Sequence, residues 1–218
     1  MSFKAVLFDL DGTLLDTLED LGDSMNAVLS SRGFPVHPIP SYSGFVGDGV
    51  ENLVRRALPA AARANETVVA ELVPLMRREY AARWKQKTRP YPGILEMLKS
   101  LASRGLKLAV LSNKPHPATV EVVEHFFPPS TFDVVLGARP GVPIKPDPGA
   151  AREVSRQLSL STAEFLYLGD TNTDMKTARD AGMFAVGALW GFRTREELEQ
   201  SGAQALIGEP GELLSLIP

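Results

Sequence analysis

At 218 residues, the chain is long enough to bury a sizeable core and to form one or two domains. Its 44% hydrophobic and 22% charged residues are typical of an ordinary soluble globular protein. The formal net charge of −3 favours neither nucleic acid nor an anionic membrane surface as a partner. The absence of cysteine excludes disulfides, thiolate nucleophiles and cysteine-based zinc sites. With no signal-peptide pattern and no apolar run of about 18 residues, we expect a cytoplasmic protein.

Six short apolar runs, each ending in small or acidic residues, predict strands that are buried on both faces of a parallel sheet. They are residues 5–8, 108–111, 134–136, 165–168, 184–186 and 205–207. Between them, helical spacing of apolar residues predicts helices at 92–104, 148–158 and 174–181. Strand and helix alternate, which predicts an α/β fold with a doubly wound parallel sheet.

One region breaks this alternation. From residue 16 to about residue 86 the sequence contains no good strand, and helical patterns occupy 16–32, 50–58 and 66–86. We therefore predict two domains: a catalytic core made of residues 1–15 and 88–218, and a helical domain of residues 16–87 inserted after the first strand.

The predicted sheet brings distant residues together. Carboxyl ends of parallel strands lie along one edge, where ligands bind in open α/β sheets. Asp9, Ser112 and Asp170 each stand at such an end, and Lys145 follows the third strand after a loop. The sequence therefore predicts one pocket built from all four.

Asp9 and Asp11 form a pair of carboxylates at the end of the first strand. A carboxylate is ionised at neutral pH and can attack phosphorus without prior deprotonation. A second carboxyl two residues along could protonate the leaving group and later deprotonate water. Taken alone, the pair equally fits a solvated acidic turn.

The other three sites are also ambiguous when taken singly. Ser112 and Asn113 could bind phosphoryl oxygens or simply form a turn, and Lys145 could stabilise a phosphoryl group in transfer or lie on the surface. Asp170 and Asp174 could hold Mg²⁺, which prefers oxygen ligands. Asp174 could equally be the N-cap of a helix that begins at Met175, and the two interpretations are compatible.

Together, the four segments 9–14, 111–114, 145–148 and 169–174 resemble the four ordered motifs of the haloacid dehalogenase superfamily. The resemblance spans nearly the whole chain. It implies a Rossmann-like core with a mobile cap, here of the helical type inserted after the first motif.

The resemblance implies that Asp9 is the nucleophile and that Asp11 is the general acid and base. Asp11 argues against dehalogenases and phosphonatases, and Thr13 is typical of the phosphatases. The implied binding residues are Ser112, Asn113 and Lys145 for the phosphoryl group, and Asp9, Asp11 through its backbone carbonyl, Asp170 and Asp174 for Mg²⁺.

Five further segments, less specific than the four motifs, resemble the phosphoglycolate phosphatase subfamily. They are residues 15–17, 43–49, 91–93, 113–115 and 190–192. The glycine-rich stretch Gly47, Asp48 and Gly49 is then expected to be a substrate loop in the cap. Asp48 stands where that subfamily often carries an amide. Arg55 and Lys114 are candidate partners for a substrate carboxylate.

The predicted function is Mg²⁺-dependent hydrolysis of a phosphate monoester of a small metabolite, phosphoglycolate first, through an aspartyl-phosphate. An inorganic pyrophosphatase and a phosphosugar phosphatase or mutase are the alternatives within the same superfamily. A catalytically silent binding protein would have lost Asp9, Asp11 or Asp170, and all three are present. We expect a small phosphorylated metabolite as the partner, no nucleic acid and no membrane, and a monomer or homodimer.

Overall fold

The computed structural model describes residues 3–217. The chain divides into two compact units, one of Met1–Leu15 with Pro90–Pro218 and one of Asp16–Arg89. The first unit contains a six-stranded sheet with helices between its strands, which confirms the predicted α/β fold. Among residues 3–217, no helix is both long and apolar enough to span a membrane.

All neighbouring strands of the six-stranded sheet run parallel. The strands of the described chain are β1 (Ala5–Phe8), β2 (Leu15–Asp16), β3 (Arg89–Pro90), β4 (Lys107–Pro115), β5 (Val134–Ala138), β6 (Phe165–Gly169), β7 (Phe184–Ala188) and β8 (Ala205–Ile207). The order in the large sheet is β5-β4-β1-β6-β7-β8, whereas β2 and β3 pair separately. The chain winds from β1 outward through β4 and β5, then returns to add β6 on the other side. This reversal of direction beside β1 creates the crevice in which such sheets bind ligands.

The helices of the described chain are divided between the two units: the first four belong to the second unit, and the remaining five flank the sheet in the first. They are α1 (Leu18–Ser31), α2 (Val50–Ala57), α3 (Ala60–Arg63), α4 (Glu66–Arg83), α5 (Ile94–Ser103), α6 (His116–Phe126), α7 (Gly149–Gln157), α8 (Asn172–Ala181) and α9 (Arg195–Gln200), with 3-10 turns at Ile39–Gly44, Thr162–Glu164 and Pro210–Leu216. In the main core cluster, Leu7 and Tyr167 of the sheet join Val154 of α7 with Met175 and Ala178 of α8. Burial of these side chains is the main favourable contribution to holding the helices on the sheet.

The second unit is helical, with α1 to α4 as its helices. The C-terminal end of this unit, at residues 87 and 88, is held by Asp20, whose carboxylate is almost fully buried. Asp20 accepts hydrogen bonds from the backbone N–H groups of Lys87 and Thr88 and from the Thr88 hydroxyl. These bonds hold residues 87 and 88 against helix α1 of the second unit.

Candidate active site

The structure brings the predicted site residues of the sheet-containing unit to one edge of the large sheet. Asp9 directly follows β1 and Asp170 directly follows β6, its neighbour in the sheet. Ser112 lies in the last part of β4, on the other side of β1, and Lys145 lies in the loop between β5 and α7. The polar residues that follow the buried apolar strands therefore lie close together, because the carboxyl ends of parallel strands meet at the same edge of the sheet.

Three buried carboxylates form the centre of this site. Each of Asp9, Asp170 and Asp174 contributes an oxygen, and these oxygens all lie within 4.8 Å of one another. Burial and the negative charge of Asp174 raise the pKa of Asp9 well above its ordinary value. The same two causes raise the pKa of Asp170 to about 7. Clustered oxygen ligands whose mutual repulsion is relieved by a divalent cation are what a metal site of this kind requires, so these residues fit a bound metal ion.

Lys145 offsets part of this negative charge. Its ammonium lies 2.8 Å from Asp9 Oδ1 and 2.7 Å from Asp174 Oδ1, and it donates to the Leu111 carbonyl at 3.1 Å. Burial alone lowers the pKa of this ammonium, but the charges of Asp174 and Asp9 raise it well above its ordinary value. Lys145 is therefore a fixed cation between two carboxylates, and it has the charge needed to meet an anionic substrate group.

Asn113 fixes Lys145 through the backbone. The Asn113 amide donates to the Lys145 carbonyl at 3.0 Å, and its oxygen accepts from the Lys145 N–H at 2.9 Å. The Asn113 side chain thus positions Lys145, and its role as a phosphoryl ligand stays a prediction. Neighbouring Ser112 is buried, and its hydroxyl oxygen accepts from the N–H of Lys114 at 3.1 Å.

Asp170 is held from two sides. Its Oδ1 accepts from the Thr13 hydroxyl at 2.7 Å, and its Oδ2 accepts from the backbone N–H of Phe192 at 2.8 Å. Glycine is required on both sides. A Cβ on Gly12 would lie 2.3 Å from Asp170 Oδ2, and one on Gly191 would lie 2.2 Å from the Cβ of Asp170. The two glycines let the backbone approach a carboxylate whose two oxygens are both oriented by hydrogen bonds.

Asp174 occupies the third position of helix α8 rather than its N-cap. The predicted N-cap role is wrong, because α8 begins at Asn172 and Thr171 caps it in a reciprocal capping box with Asp174. Asp174 Oδ2 accepts from the Thr171 hydroxyl at 2.6 Å, while Oδ1 accepts from Lys145 and from the Tyr167 hydroxyl at 3.1 Å. The helix end thus orients the carboxylate that faces Lys145.

Asp11 lies at the edge of the cluster, on the turn that follows β1. Its Oδ1 accepts a hydrogen bond of 2.6 Å from the ammonium of Lys114, and both side chains are largely buried. Gly12 adopts a φ of 90°, which permits the sharp turn that separates Asp11 from the buried strand. Asp11 thus pairs with Lys114, whereas Asp9 and Asp174 pair with Lys145.

The predicted substrate loop belongs to the second unit. Residues Gly47, Asp48 and Gly49 lead into α2, and the guanidinium of Arg56 holds them by bonding the Asp48 carboxylate and the Phe45 carbonyl. The neighbouring Arg55 points elsewhere, because its guanidinium bonds both oxygens of Glu66 at 2.8 Å and Glu51 at 3.0 Å. The structure therefore commits Arg55 to two glutamates on its own unit.

The sequence analysis assigned no positioning role to Tyr167, Thr171, Gly191 or Phe192, although the last three lie in segments that carry the family resemblance. A signal did exist for the last two. They follow β7 within a few residues, and the carboxyl end of β7 lies on the same edge as those of β1 and β6.

A family comparison accords with this geometry. The sequence model of the haloacid dehalogenase-like hydrolases matches residues 6–188. The chain belongs to the haloacid dehalogenase-like hydrolases. The plasmid-encoded phosphoglycolate phosphatase of Cupriavidus necator is 31% identical over 213 residues, which cover 98% of this chain and 92% of that protein.

Two solved structures of this kind have nearly the same fold, and both are named as predicted phosphoglycolate phosphatases. The one from Lactobacillus delbrueckii subsp. bulgaricus has a TM-score of 0.94 at 33% identity, covering 100% of this chain and 99% of its own. The one from Haemophilus somnus has a TM-score of 0.92 at 26% identity, with the same coverage. Full-length similarity to these haloacid dehalogenase-like hydrolases supports the family assignment across both units.

Proposed function

We propose that this haloacid dehalogenase-like hydrolase is a Mg²⁺-dependent phosphatase that cleaves phosphate monoesters of small metabolites, with phosphoglycolate as its preferred substrate. The observation that carries the proposal is the buried group of Asp9, Asp170 and Asp174 with the Lys145 ammonium bonded to two of its members. The names of the similar proteins support phosphoglycolate as the first substrate to test.

Asp9 is the proposed nucleophile. Its carboxylate attacks the phosphorus, the ester oxygen leaves, and an aspartyl-phosphate forms on Asp9. Lys145 orients Asp9 Oδ1 and neutralises charge on the transferred phosphoryl group, and the Ser112 hydroxyl donates to a phosphoryl oxygen. Asp9, Asp170 and Asp174, together with the backbone carbonyl of Asp11, would hold Mg²⁺, which when bound neutralises negative charge on both the carboxylates and the phosphate.

Asp11 is the proposed general acid and base. In the first step it gives a proton to the leaving ester oxygen, and in the second it takes one from the water that attacks the aspartyl-phosphate. Its place on the turn after β1 keeps it on the chain segment that carries the nucleophile, while Lys114 fixes its orientation. The pair thus divides the chemistry between covalent transfer by Asp9 and proton transfer by Asp11.

The helical unit is proposed to act as the cap. The groups described above handle only the phosphoryl moiety, which every candidate substrate shares, so selectivity requires further contacts to the organic part. The Phe45–Gly49 loop, held by Arg56, is the proposed cap contribution. Exclusion of water during aspartyl-phosphate formation would be a second role of the cap.

The decisive experiment measures phosphate release from phosphoglycolate, pyrophosphate and glucose 1-phosphate with Mg²⁺. We expect phosphoglycolate to give the highest kcat/KM. Chelation should abolish turnover reversibly, and Ca²⁺ should restore it poorly because it accepts more ligands in looser geometry. A clear preference for pyrophosphate or for the sugar phosphate would replace the substrate assignment, and full activity in chelator would contradict the metal assignment.

A further inference from the structure

Lys114 places a buried cation beside the proposed general acid. Its ammonium donates to Asp11 Oδ1 at 2.6 Å, and the Lys114 side chain is only 6% exposed. The backbone of Lys114 is fixed on both sides, because its N–H donates to Ser112 Oγ and its carbonyl accepts from the Thr119 hydroxyl. Strand β4 therefore aims this side chain at the edge of the sheet where the reacting groups meet.

We propose that Lys114 binds the carboxylate of the substrate and thereby selects a 2-phosphoryloxy acid over neutral phosphate esters. The inference rests on the proposed function and assigns its specificity to a residue of the sheet-containing unit. In phosphoglycolate, the carboxylate is attached to the carbon that carries the ester oxygen. Asp11 must reach this oxygen to protonate it, so a cation bonded to Asp11 lies next to the position of the carboxylate.

The chemistry of an ammonium suits this double contact. An ammonium carries three N–H donors, so it can hold Asp11 and a substrate carboxylate together. Hydrogen bonds between charged partners in a largely buried site are stronger than those between neutral groups. Lys145, which bridges Asp9 and Asp174, is already assigned to the phosphoryl group, and Arg55 bonds two glutamates of the helical unit.

A matched pair of substrates separates carboxylate binding from the positioning of Asp11. Phosphoglycolate and its neutral amide, phosphoglycolamide, carry the same ester linkage, so any loss that acts through Asp11 affects both. The quantity to measure is the ratio of their kcat/KM values in wild type, Lys114→Met and Lys114→Gln. We expect this ratio to fall by about ten-fold or more in both variants, mainly through a higher KM for the acid. Lys114→Arg should restore part of the ratio, and the exposed control Lys99→Met should leave it unchanged.

The outcomes separate this inference from the proposed function. If wild type prefers the acid and the Lys114 variants keep the same ratio, Lys114 only holds Asp11 and the carboxylate role is wrong. If wild type shows no preference between acid and amide, both this inference and the phosphoglycolate assignment are wrong. Circular dichroism and thermal unfolding of each variant establish that the compared enzymes are folded, and the Gln variant provides the test if Met does not fold.

Discussion

The backbone N–H of Phe192 donates a hydrogen bond of 2.8 Å to Asp170 Oδ2. Through this bond, the loop that follows β7 orients a carboxylate that follows β6. The preceding residue, Gly191, makes the contact possible because its backbone packs directly on the Asp170 side chain. A loop outside the four sequence motifs thus helps to shape the proposed metal site.

Replacement of Gly191 by alanine should displace Asp170. The added Cβ would lie 2.2 Å from Asp170 Cβ and 2.5 Å from its Cγ, so one of the two must move. We expect kcat/KM to fall by about a hundred-fold, the size of effect that a shift of about 1 Å produces in a catalytic site. The Mg²⁺ concentration needed for half-maximal activity should also rise.

The matched control is Gly211→Ala, where a Cβ would meet no atom within 4 Å. Steady-state rates of both alanine variants are measured over a Mg²⁺ titration, and thermal unfolding checks that each variant is folded. Equal activities of the two alanine variants would show that Asp170 does not need the close approach of residue 191.

Much of the fold was readable because its signals are local. The apolar runs at 5–8 and 165–168 correspond to strands β1 (Ala5–Phe8) and β6 (Phe165–Gly169). The predicted site residues Asp9 and Asp170 directly follow these strands. Such runs are confined to strands buried on both faces, which a parallel sheet requires. The meeting of Asp9 and Asp170 follows from this rule, since β1 and β6 are neighbours in the sheet.

Features that depend on the tertiary structure could not be predicted from the sequence pattern. Tyr167 was predicted only as part of an apolar run, yet its hydroxyl bonds Asp174 in the site. Helix α6 (His116–Phe126) was not predicted, because its valines at 120, 122 and 123 have weak helix propensity. Packing overrides that propensity, and Val122 and Val123 are buried. Capping of α8 by Thr171 rather than Asp174 shows that a helix end depends on which hydroxyl reaches the free N–H groups.

The metal-free protein should lose stability as the pH rises through the range in which Asp170 ionises. The pKa of Asp170 is raised from 3.8 to about 7 in the folded protein, so the folded state holds a proton that the unfolded state has already released. The stabilisation is complete below the unfolded pKa of 3.8, and it is lost as the pH approaches about 7. The raised pKa of Asp9 acts in the same direction.

Thermal unfolding in chelator from pH 4 to pH 8 measures this effect. The midpoint should decline toward neutral pH more steeply in wild type than in Asp170→Asn, and saturating Mg²⁺ should reduce the decline because the cation stabilises the ionised carboxylates. The same slope for wild type and Asp170→Asn would show that burial of Asp170 does not control the dependence.

Two adjacent arginines provide a test of the proposed substrate loop. Arg56 bonds the Phe45 carbonyl and the Asp48 carboxylate, whereas Arg55 bonds Glu51 and Glu66. Arg56→Gln should therefore loosen the loop and raise KM for the organic phosphate by about ten-fold, because a charge-assisted bond is lost. Arg55→Gln should change KM by less than about two-fold, as expected for a surface ion pair.

Kinetics with phosphoglycolate and with a generic aryl phosphate distinguish the possible roles of the loop. Loss confined to phosphoglycolate would assign substrate selection to the loop. Equal loss on both esters in Arg56→Gln would show that it controls access instead, and equal effects of the two arginine variants would remove it from either role.

Chemical trapping of the covalent intermediate tests the central claim most directly. Enzyme mixed with substrate and Mg²⁺ is quenched in acid during turnover and treated with borohydride, which reduces an aspartyl-phosphate to homoserine. Peptide mass spectrometry should then find homoserine at position 9, and Asp9→Asn should show neither homoserine nor turnover while remaining folded. Steady turnover without modification of Asp9, or homoserine at another aspartate, would contradict nucleophilic attack by Asp9.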